Sequence, residues 1–118
     1  MTKQERLNKH VQRKPSLAAA KAEALSYLKA LMRDGIKIRA AYLFGSFAEG
    51  RQHAGSDVDL LVSVRGFHNW IEAGGVLQKK LFHWRTKYPL DVIGHVKPRL
   101  DEGIPLEREV LRKGLRLI

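Results

Sequence analysis

No cysteine occurs among the 118 residues. Disulfides, thiolate metal sites and cysteine nucleophiles are therefore excluded. A reducing cytoplasm is the compartment that fits such a chain. Long apolar runs are missing too: nothing approaches the roughly 20 residues that cross a bilayer as a helix, so no membrane association is expected. The opening residues, Met1-Thr2-Lys3-Gln4-Glu5-Arg6, have no apolar stretch behind them, so a signal peptide is not expected. Internal repeats and low-complexity segments are absent. The five histidines, His10, His53, His68, His83 and His95, show no i,i+4 pair and no zinc-ligand spacing, and most are expected at the surface. Acidic residues are few beside basic ones: 12 Asp and Glu against 22 Lys and Arg leave a formal charge of +10. Such a surface attracts nucleotides, RNA or an acidic protein, less so as salt rises. The plainer alternative is a solvated basic surface, since these residues are spread along the chain. No aromatic-rich RNA motif accompanies the charge.

What is present suffices for one domain with one modest core. Residues 1–15 read as a basic arm (Lys3, Arg6, Lys9, Arg13, Lys14), with any short helix ending before Pro15. Residues 16–118 read as the folded domain. Ser16 is a helix N-cap, followed by Leu17, Ala20, Ala24, Leu28 and Leu31 at helical spacing, and Gly35 is the stop. Ile36 to Phe44 reads as a strand, and Asp57 to Val64 as a second. Trp70, Ala73, Leu77, Leu81 and Trp84 form a helical stripe expected in the core. Within it, Gly74-Gly75 costs roughly 1 kcal/mol per glycine and predicts a late start or a break. Leu90 to Ile93 is a short strand carrying Asp91, a carboxylate that is unfavourable there unless paired or bound to metal. Pro105 opens a last helix with Leu106, Val110 and Leu111 inward, Gly114 ends it, and Leu115 to Ile118 can add a strand.

The chain centres on Tyr42-Leu43-Phe44-Gly45-Ser46-Phe47-Ala48-Glu49-Gly50 and the later Ser56-Asp57-Val58-Asp59-Leu60. Alternate strand residues share a face, so Asp57 and Asp59 stand together and Val58 and Leu60 point the other way. Two carboxylates that close repel unless a cation sits between them, and Mg²⁺, with its oxygen ligands, suits the place. Gly45 permits a sharp turn and close ligand approach. Ser46 is expected to cap the turn that follows, whose free N–H groups suit phosphate. A phosphate cradle opposite a carboxylate pair is equipment for transferring a phosphorus group from a nucleoside triphosphate.

Gly45-Ser46, ten intervening residues and Asp57-x-Asp59 resemble the signature of the polymerase-beta-type nucleotidyltransferase superfamily, and most of all its minimal nucleotidyltransferases. The resemblance covers about Ile36 to Ile118. It implies an α/β fold: a small mixed sheet of about four or five strands with helices mainly on one face. It implies that Asp57 and Asp59 hold Mg²⁺ bridging the triphosphate of ATP or another NTP. Gly45 and Ser46 would hold its β/γ phosphates. Asp91 would bind a second Mg²⁺ or take the proton of the attacking hydroxyl. Two such ions would lie roughly 3.5–4 Å apart. Relatives often carry a basic residue where this chain has Glu49, and Arg51 is a candidate substitute.

At this length the chain is expected to hold the catalytic half only. The other wall of the cleft is then expected from a second copy or a different protein. Minimal nucleotidyltransferases are often paired with HEPN-type helical toxins as antitoxins, and can transfer AMP onto that partner. Two other functions stand beside this one: a non-catalytic module that neutralises a toxin by contact alone, and an RNA-binding protein.

Overall fold

A computed structural model describes residues 15–84 and 87–118. The basic arm, but for Pro15, lies outside the described residues. Helix α1 (Leu17–Arg33) starts where its cap dictates: the Ser16 Oγ accepts from the Ala19 N–H at 3.0 Å. It ends in a Schellman arrangement. Gly35, at φ +91°, donates to the Met32 carbonyl at 3.0 Å and Ile36 to the Leu31 carbonyl at 3.1 Å. Its buried face is Ala20, Ala24, Tyr27, Leu28, Ala30 and Leu31.

Four strands form one sheet in the order β3-β2-β1-β4: β1 Lys37–Phe44, β2 Val58–Arg65, β3 Leu90–His95 and β4 Leu115–Arg116. β1 is antiparallel to both β2 and β4, and β2 is parallel to β3. Parallel neighbours require a crossover. Helix α2 (Trp70–Phe82) supplies it. Asn69 caps α2, its Oδ1 accepting from the Glu72 N–H at 2.9 Å. Helix α3 (Pro105–Lys113) precedes β4.

The even-numbered residues of β2 (Val58, Leu60, Val62, Val64) and Val92 of β3 pack with α1 and with Ala73 and Leu77 of α2. On the opposite face, Phe44 and Leu61 pack with Val110 of α3. Two helices therefore seal one face of the mixed sheet, and a single short helix covers part of the other. Among the described residues, no helix is long and apolar enough to cross a membrane.

Several expectations are corrected. α2 runs through Gly74-Gly75 without a break. The reason lies on β3: a Cβ on Gly94 would sit 2.9 Å from the Gly74 backbone N. Helix and strand meet there at two glycines, and that close approach offsets Gly74's poor helix propensity. Trp70 is not core but 63% exposed. It is the first residue of α2. Trp84 does pack inward, edge-on to Tyr27 at 6.2 Å. Leu111 is exposed, and Glu107 takes an inward position on α3. β2 begins at Val58 rather than Asp57, β3 runs on to His95, and the last strand holds only Leu115 and Arg116.

Candidate active site

The antiparallel register of β1 on β2 sets Phe44 opposite Asp59. The chain then turns at Gly45, φ +75°. Any side chain there would overlap the Asp59 carboxylate. Glycine is thus required twice, for its backbone angle and for the space the acid occupies. The Gly45 carbonyl accepts from the Glu49 N–H at 3.1 Å, and the Ser46 carbonyl from the Arg51 N–H at 2.9 Å. Gly45 rather than Ser46 holds the capping place. The Ser46 hydroxyl makes no hydrogen bond among the described residues and is open to a ligand. Phe47 is buried and packs its ring on Tyr88 at 5.9 Å, which anchors the turn.

The parallel register of β2 on β3 pairs Asp59 with Asp91. Asp57 and Asp91 are exposed, and Asp59 is half-buried. Burial pushes the Asp59 carboxyl up to about 6, and the charges of Asp91, Asp57 and Glu109 push the same way. Glu109, on α3, is a further acid that no sequence spacing connects to this site. The predicted residues Gly45, Ser46, Asp57, Asp59 and Asp91 all lie at one end of the sheet. Among the described residues no three His, Cys, Asp or Glu side chains form a ready-made metal cage. Mg²⁺ asks for less, since it usually keeps several waters and takes one or two carboxylates. The carboxylate oxygens and their mutual repulsion fit such an ion. In the loop before Asp57, His53 Nδ1 accepts from the Gly55 N–H at 3.0 Å and orders that loop.

The same register pairs Ser63 with His95 at the far end of these strands. His95 is buried, contrary to the surface position expected for most histidines. Its Nε2–H donates to Glu107 Oε1 at 2.8 Å, and its Nδ1 lies 3.0 Å from the Ser63 hydroxyl. Glu107 also accepts from the Asp101 N–H at 3.0 Å and from Lys97 Nζ at 3.1 Å. Burial alone would raise its carboxyl; the donors Asp101, His95 and Lys97 outweigh this and hold it below the usual carboxylate range. The network fastens α3 across β2 and β3.

The glycine turn, the paired acids and the βαβ crossover define a nucleotidyltransferase fold. The family model "Polymerase beta, Nucleotidyltransferase" matches residues 27–118, and the chain belongs to that family. No curated protein shows a significant match. Among solved structures, a toxin–antitoxin structure with AMP-PNP is similar at 26% identity and TM-score 0.53, over 79% of this chain and 71% of that one. A mutant of the toxin–antitoxin MntA-HpeT is similar in fold at 20% identity and TM-score 0.56, over 83% of this chain and 72% of that one.

Proposed function

We propose that the protein is a metal-dependent nucleotidyltransferase that moves a nucleoside monophosphate, AMP from ATP, onto a hydroxyl of a protein toxin, and so acts as its antitoxin. One observation carries the reading: Gly45 abuts Asp59, which is in register with Asp91. A polyphosphate turn and a carboxylate set therefore share one edge. The toxin–antitoxin structure with AMP-PNP, 26% identical, supports both the adenine nucleotide and the kind of partner. In this reading Asp57, Asp59 and Asp91 would hold Mg²⁺. When bound, the ion neutralises triphosphate charge and favours in-line displacement.

The chain's own residues do the rest. Gly45 turns the backbone beside the Asp59 carboxylate, and the Ser46 hydroxyl that follows it donates to an oxygen of the phosphate tail. Asp91 accepts the proton of the acceptor hydroxyl as its oxygen bonds to the α-phosphorus. The α–β phosphoanhydride bond breaks and pyrophosphate leaves. Catalysis comes from positioning and charge, without a covalent intermediate.

The test mixes the protein with α-labelled ATP, Mg²⁺ and the protein encoded beside it. Label should pass to that protein, and Asp57→Ala/Asp59→Ala should abolish the transfer. Equal labelling by the variant would remove the assigned roles. Protection of cells by the variant would instead favour neutralisation by contact alone.

A further inference from the structure

A second set of charges borders the glycine turn. Glu49 lies in the turn itself, and a lone carboxylate there would repel a polyphosphate. It is not alone. Its Oε2 accepts from Arg51 Nη2 at 3.1 Å, and its Oε1 lies 3.6 Å from Lys113 Nζ. The Arg51 hydrogen bond, with the charges of Arg51 and Lys113, holds the Glu49 carboxyl below its usual range against a smaller opposing effect of desolvation. Two cations against one carboxylate turn the local charge from negative to positive.

Both cations are fixed to this place through the backbone. The Arg51 N–H is bonded to the Ser46 carbonyl at 2.9 Å. Lys113 ends α3, where the next residue, Gly114, packs so closely that a Cβ would sit 3.3 Å from the Leu43 carbonyl. Leu43 lies two residues before Gly45. The His95–Glu107 bond anchors the other end of the same helix. The Arg51 and Lys113 side chains are 64% and 61% exposed, so their remaining N–H donors face solvent. Exposed ion pairs add little to stability, so stability does not account for two of them meeting on one carboxylate.

We infer that Arg51 and Lys113 receive the β/γ phosphates of the nucleoside triphosphate, with Glu49 holding the two cations ready in the free protein. The inference rests on the nucleotidyltransferase reading and adds positioning residues to it. Arginine offers a planar fork to phosphate and lysine a point charge.

The test measures equilibrium binding of MgATP, AMP and inorganic tripolyphosphate to the full chain. Variants are Arg51→Ala, Lys113→Ala and Lys113→Arg, with Arg112→Ala as a control on the same helix. Each of the first two should weaken ATP and tripolyphosphate about tenfold, roughly one charge-assisted contact, and leave AMP unchanged. Lys113→Arg should restore most of the loss, and Arg112→Ala should change little. If Lys113→Ala and Arg51→Ala bind ATP as wild type does, or if Arg112→Ala loses as much, this inference fails and the enzyme reading stands. If the wild-type protein binds neither ATP nor tripolyphosphate, both fail.

Discussion

Asp59 carries the cost of the site. Its carboxyl is held up at about 6 by burial and by Asp91, Asp57 and Glu109, against 3.8 ordinarily. Between those two values the folded chain binds more protons than the unfolded one, so stability falls as pH rises through this window. Without added metal, the melting temperature should therefore drop from pH 4 to pH 7 through this residue. Asp59→Asn should melt higher than wild type at pH 7 and flatten that slope, while losing activity. An unchanged slope would show that Asp59 does not carry the charge strain. Beside it, Gly45→Ala meets both a positive φ and the Asp59 carboxylate. Thermal or urea unfolding should show it destabilised by at least about 1–2 kcal/mol.

At the scale of elements, the seam between α2 and β3 is closed by Gly74 and Gly94. Gly94→Ala should cost about 1–3 kcal/mol through overpacking, read by denaturant unfolding, although alanine is otherwise better tolerated than glycine in a strand. Ser16→Ala should cost about 1 kcal/mol by loss of the α1 cap. The contrast shows what sequence conveys. The caps at Ser16 and Gly35 and the side-by-side placing of Asp57 and Asp59 are legible because each is set by residues within a few positions. The surroundings of Gly74 and His95 are not legible, because they come from distant segments: a glycine on β3 and Glu107 on α3. Asp91 was legible only as a carboxylate out of place in an apolar strand. Its neighbour Asp59 was supplied by a strand pairing that spacing alone does not give. Glu109 and Lys113 carried no local signal at all.

Across the whole molecule, one face of the sheet is closed by α1 and α2, while α3 alone covers part of the other, beside the acids. Glu107 ties α3 to that face through His95, Lys97 and the Asp101 N–H. Its carboxyl is held below the ordinary range, so it contributes stability above that range and loses it as acid protonates the folded form. Glu107→Ala should leave His95 and Lys97 without their acceptor and destabilise the chain by about 1–3 kcal/mol at pH 7. Hydrogen exchange should quicken in residues 105–113 before it does in α1. Equal protection of the two helices in the variant would show that the network does not hold α3.

The side-by-side direction of β2 and β3 makes the pairing of two acids a gauge of alignment. Asp91 meets Asp59 only while Leu90 lies against Val58 and each later pair keeps step. Sliding β3 by a single residue would turn Asp91 and His95 together toward the helices, and bring Val92 and Gly94 round to the open side. The acid pair and the α3 clasp would be lost in one movement, so a chain that keeps both has its strands in the native frame.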